Sequence, residues 1–149
     1  MPLTVREILG DKRDPGGRIV EVAPTAAVRE AVARMVAQDI SSIVVMQAGR
    51  MAGLFTLREL LRGLDRHGAA LLDMPIGEVM NPDPPSVAPT QSADELRALM
   101  TEHHVTHAPV LEDGALVGII SFHDIARSAV SDATFENKLL KQYIKHWPT

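Results

Sequence analysis

Cysteine is absent from this chain, which excludes a disulfide framework and any thiolate metal site and gives no sign of an oxidising compartment. Aromatic residues make up only 3% of the sequence, so a site built from several stacked rings is not expected. There is no excess of basic charge either. The formal net charge is -4, which gives no general pull toward nucleic acid or an anionic membrane. No apolar run approaches the roughly 18 residues of a membrane span. The opening Met1-Pro2-Leu3-Thr4-Val5-Arg6-Glu7 lacks the charged-then-apolar layout of a secretory signal, so a soluble cytoplasmic protein is the expectation. Phosphate-loop and H-E-x-x-H patterns are missing along with a cysteine nucleophile. An enzyme is not expected. The chain's 149 residues, with 46% hydrophobic and 23% charged residues, suit one compact unit or two small interlocked ones.

The chain repeats itself. With an offset of 65, residues Val22 to Leu60 pair with Val87 to Ile125 without a gap, and ten of the 39 positions are identical. Among them are Pro24 with Pro89, Met35 with Met100, Gly49 with Gly114 and Gly53 with Gly118. A second stretch, Val5 to Leu9, matches Ile76 to Met80 at an offset of 71. The difference lies in a longer loop, Gly10 to Arg18, in the first copy.

Each copy has the same local signals. Ser92-Ala93-Asp94-Glu95 is a capping box and predicts a helix start; Ala27 occupies the equivalent position in the first copy and predicts a weaker one. Val28, Ala31, Val32, Met35 and Val36 share one face of the first helix, as Ala93, Leu96, Leu99, Met100 and His103 do in the second. Two strands follow in each copy, Ile43 to Met46 with Met51 to Phe55, then Ala108 to Leu111 with Leu116 to Ile120. They are joined at Ala48-Gly49 and at Glu112-Asp113-Gly114. A short helix begins near Leu57 and near Phe122. The order is strand, helix, strand, strand, helix. Neither copy has enough apolar surface to stand alone, so the two are expected to share a core.

The closing segment Gly118-Ile119-Ile120-Ser121-Phe122-His123-Asp124 resembles the Gly-apolar-x-Ser/Thr-x-x-Asp signature of CBS repeats. Ile76-Gly77-Glu78-Val79-Met80, Val87-Ala88-Pro89 and His107-Ala108-Pro109-Val110 are similar to the family's other patterns, and the likeness covers residues 4 to 127. It implies an α+β fold of tandem β-α-β-β-α repeats packed as a pseudo-twofold pair. Residues 1–66 would form the first repeat, 67–75 a connector, 76–130 the second repeat and 131–149 a C-terminal amphipathic helix. It also implies a stand-alone regulatory module, with no cofactor required, that senses an adenosine-type ligand such as AMP, ADP, ATP, NAD or S-adenosylmethionine between the repeats. Such a module acts on a partner protein and commonly forms a homodimer.

On this resemblance, Ser121 meets a phosphate at a helix N-terminus and Asp124 takes the ribose hydroxyls. His123 is a phosphate neighbour, Ser86 lies near the ligand, and Val87, Ala108 and Val110 seat the base. The first copy keeps the hydroxyl as Thr56 but has Glu59 in place of the aspartate. Glu21 stands where the second copy has Ser86, and would repel a phosphate unless Arg58, Lys12, Arg13 or Arg18 compensated. One good site, carried by the second copy, and one degenerate site are expected. A plain helix cap is the competing role for Ser121 and Asp124. His103, His104, His107 and His123 fall on different faces and elements and do not suggest a metal site. In the tail, Phe135, Leu139, Tyr143 and Trp147 recur every fourth residue and predict an amphipathic helix, packed on its own module or on a second copy. A ligand-free scaffold acting through this helix is the alternative function.

Overall fold

The protein was examined as a computed structural model that describes residues 3–10 and 19–131, with side chains through residue 128. The tail beyond residue 131, with its aromatic stripe, and Lys12, Arg13 and Arg18 lie outside the described residues. The elements run α1 (Val5–Gly10), β1 (Glu21–Val22), α2 (Val28–Gln38), β2 (Ser42–Gln47), β3 (Arg50–Thr56) and α3 (Leu57–His67). After 3-10 turns at Gly68–Asp73 and Ile76–Glu78 come α4 (Ala93–His103), β4 (His107–Glu112), β5 (Ala115–Ser121) and α5 (Phe122–Ser131). This is the expected α+β tandem.

Local chemistry accounts for most boundaries. Ser92 accepts from the Glu95 amide while the Glu95 carboxylate accepts from the Ser92 amide, closing the predicted box at the start of α4. Ala27 supplies no side-chain cap to α2. Both hairpins turn through two residues of positive φ, Ala48 with Gly49 and Asp113 with Gly114, as a type I′ turn requires. Each hairpin also shifts register at the same place, between Val45 and Met46 and between Val110 and Leu111. Alanine is a poor residue for the left-handed region. Ala48→Asn is therefore expected to stabilise the fold by on the order of 1 kcal/mol, read as a higher denaturation midpoint.

The copies differ at their first strand. In the first, β1 runs parallel to β2, and the Val44 amide donates to the Val20 carbonyl. Pro109 stands at the equivalent of Val44 and has no N–H to give. The second copy accordingly keeps a single bridge, Val87 to Val110, instead of the expected strand.

The opening segments are exchanged. Thr4 bridges Ser92 and Pro75 bridges Ala27. The Val5 and Arg6 amides donate to the carbonyls of Gln91 and Pro89, and in the mirror arrangement Ile76 and Gly77 donate to Ala26 and Pro24. Two cores result where one shared core was expected. One holds Val5 and Ile8 with Val87, Leu96, Met100, Ala108, Val110, Ile120 and Ile125. The other holds Leu71 and Ile76 with Val22, Val28, Ala31, Met35, Ile43, Val45 and Phe55. Each repeat is thus completed by residues that precede the other. Val36, expected on the buried face of α2, is 76% exposed, and His103 at the end of α4 is exposed as well. The buried stripe of α2 is narrower than its pattern suggests, since Met35 beside Val36 is buried, and that of α4 ends at Met100.

Candidate ligand-binding site

At the junction of β5 and α5 the chain leaves the sheet and starts a helix, so backbone N–H groups are left without helical partners. Ser121 and Asp124 meet this need reciprocally. The Asp124 carboxylate accepts from the Ser121 amide at 2.8 Å, and Ser121 Oγ accepts from the Asp124 amide at 3.0 Å. Asp124 is only 5% exposed, and Arg127, one turn on, donates to its other oxygen at 2.8 Å. Both the capping role and the cleft position expected for this pair are therefore present. Among the described residues the buried Nε of Arg127 makes no hydrogen bond, so the junction carries an unfilled donor.

This junction faces a cleft of about 850 Å³. Its other walls come from the first repeat, with Ile19, Val20, Ile40 and Val44 apolar and Ser41 and Ser42 polar. Ile119, Thr106, His107 and His123 also line it, as do Gln38 and the acidic Asp39. A second cleft of about 370 Å³ sits at the equivalent junction of β3 and α3, lined by Leu54, Thr56, Arg58 and Glu59. Pro84 and Pro85 stand there in place of Ile19 and Val20, and Val105 in place of Ile40. The two cavities are thus related by the offset of 65 but differ more than twofold in volume. Ser41, Thr106 and His107 line both. Within this partition, Ser41 Oγ lies 2.9 Å from His107 Nε2.

Several residues take other roles than expected. Val87, Ala108 and Val110 are 3%, 0% and 0% exposed and belong to the core of the second repeat, so they do not seat a base in either cleft. Their apolar pattern reports burial alone. Ser86 lines neither cleft and donates to the Pro84 carbonyl at 3.0 Å. Glu21 is exposed and also outside both clefts. In the first cleft, Thr56 is held by Glu59, whose Oε1 accepts from the Thr56 amide at 2.8 Å and from its hydroxyl at 2.6 Å. Arg58 reaches across to α4 and donates to the carbonyls of His103 and His104 at 3.2 and 2.5 Å. A cation suits that helix C-terminus, and it leaves this guanidinium committed to the fold.

The apolar seat of the larger cleft escaped the sequence reading because it lies in the other repeat. Pseudo-twofold packing itself was the available signal. A cleft between two copies must be lined by both, and Ile19-Val20 directly precede the aligned segment. Among the described residues no cluster of three or more His, Asp or Glu could hold a metal ion, and no helix is long and apolar enough to cross a membrane.

A family model described as CBS domain matches residues 5–66 and 76–131. The mitochondrial CBS domain-containing protein CBSX3 of Arabidopsis thaliana is 29% identical over 123 residues, 79% of this chain; the chain spans 60% of that relative's length. Among solved structures, a protein with CBS domains from Burkholderia ambifaria is 35% identical, with a TM-score of 0.81, covering 87% of this chain and 96% of its own. The CBS domain pair of protein MJ0100, solved in complex with 5-methylthioadenosine and S-adenosyl-L-methionine, shares the fold at a TM-score of 0.72. It is 18% identical, over 86% of this chain and 96% of its own.

Proposed function

Because this chain belongs to the CBS-domain family in both of its repeats, we propose that it is a non-catalytic regulatory module that takes an adenosine-containing ligand in the larger cleft. The observation that carries this reading is the pairing of Ser121, Asp124 and Arg127 with an apolar wall from the other repeat. An aliphatic wall suits a base, a carboxylate suits a vicinal diol, and a guanidinium beside a helix N-terminus suits a phosphate. The adenosine compounds bound by protein MJ0100 support the same class. The cytoplasmic setting and the regulated partner protein belong to this proposal.

Ligand binding to the native state alone raises apparent stability by mass action, by about 2.7 kcal/mol at a concentration 100 times Kd. A thermal-shift panel of AMP, ADP, ATP, NAD and S-adenosylmethionine is therefore expected to single out at least one compound. A well-folded protein that responds to none of them would overturn the sensor reading.

A scaffold role in homodimerisation is favoured by a different observation. Leu57, Leu61 and Leu64 of α3 are 53%, 67% and 39% exposed, and Phe122 of α5 is 46% exposed. Side chains at this helical spacing form one stripe, and covering it would favour association of two copies.

A further inference from the structure

Beside the smaller cleft lies a groove of about 480 Å³ that the adenosine reading leaves unused. Arg58, Arg62 and Arg66 line it. Spaced four residues apart on α3, they stand one above the other on successive turns. Their commitments differ. Arg58 holds the carbonyls at the end of α4, whereas Arg62 and Arg66 are exposed and form no ion pair among the described residues. Acidic groups also line the groove, namely Glu59, Glu78 and Asp83. The first is bound to Thr56, and neither of the others pairs with an arginine of the row. Among the described residues the two guanidinium groups thus have no ion-pair partner.

The groove is continuous with the smaller cleft, since Arg58, Glu59, Asn81, Pro85 and Val105 line both. Inside that cleft the phosphate-binding end offers Glu59 and an arginine already engaged. A phosphorylated ligand there finds uncommitted positive charge only by extending along α3. We propose that the groove is a binding site for a phosphate chain, and that it makes the smaller cleft selective for a ligand carrying two or more phosphates. The nucleotide part of this inference rests on the proposed function; the anion site itself does not.

Inorganic tripolyphosphate is the probe, titrated calorimetrically into the full chain at low salt, where guanidinium–phosphate attraction is least screened. The wild type is expected to bind it, and Arg62→Gln/Arg66→Gln to lose about tenfold or more in affinity. ATP affinity should fall in the same double variant while adenosine affinity holds. Arg29→Gln, which removes an exposed arginine paired with Asp73, serves as the charge control. No binding by the wild type, equal binding by the double variant, or an equal loss in the control would each overturn the proposal. A chain that binds tripolyphosphate but no adenosine compound, nucleotides included, sinks the nucleotide selectivity together with the functional reading; the anion site survives.

Discussion

Ile8→Ala is expected to loosen the second repeat, although Ile8 lies 80 residues or more from most of the side chains it supports. It is wholly buried in the core built by α4, β4, β5 and α5, and truncating such a residue costs about 2–5 kcal/mol. Hydrogen exchange should then show protection falling first in residues 93–128. Ile76→Ala is the mirror experiment. Ile76 is also fully buried, in the core of the first repeat, and its truncation should expose residues 28–56. If either variant loosened the repeat to which it is joined in sequence, the exchange of openings would be wrong. A variant at Gly53 would probe the same crossing from another side. A Cβ there would meet Met80 Sδ at 2.5 Å and the Asn81 carbonyl at 2.6 Å, where Leu54 and Asn81 exchange backbone hydrogen bonds.

Asp124→Ala is expected to remove the response to an adenosine ligand and to weaken the ligand-free protein. Loss of the carboxylate half of this reciprocal cap costs about 1 kcal/mol, since the Ser121 hydroxyl still accepts from the amide of residue 124. Arg127 would also lose its carboxylate partner, but it is 33% exposed and solvent can take over part of that role, so the sum is about 2–3 kcal/mol. Because the fold depends on this side chain, the variant's own melting temperature must be the baseline for any ligand shift. Asp124→Asn separates the two effects. Its amide oxygen can still accept from the Ser121 amide, so most of the cap survives, while the charge that holds Arg127 and the second carboxylate oxygen are gone. Ligand affinity is expected to fall about tenfold or more, with a smaller loss of stability than in Asp124→Ala. Full ligand response in the asparagine variant, at any stability, would remove Asp124 from the binding site.

Much of this architecture was written in short-range patterns. The capping box at Ser92 and Glu95, the missing cap at Ala27, and the paired turns at Ala48-Gly49 and Asp113-Gly114 depend on residues within four positions of one another, and all were legible. So was the duplication, and with it the family. The site was legible at one end only. Ser121, Asp124 and His123 stand at the larger cleft because a strand-to-helix junction places them there. Val87, Ala108 and Val110 were misread, since an apolar residue on a strand next to a site motif looks the same whether it faces the ligand or the core. Val36 was misread for a related reason: helical periodicity marks a face but not how wide a strip of it a neighbour covers.

Taken by itself, the sequence determined the two copies, the helices and hairpin of each and the chemical ends of each cleft, all set by local hydrogen bonding and by the identity of matching positions. Tertiary structure alone decided which opening segment completes which core and which repeat supplies the apolar wall of each cleft. It also committed Arg58 to a helix end in the other copy while leaving Arg62 and Arg66 without an ion pair among the described residues. The physical reason is that the two copies are nearly equivalent partners for each segment. Periodicity and propensity are the same for packing within a copy and across copies, and only the three-dimensional fit of side chains such as Ile8 and Ile76 distinguishes them.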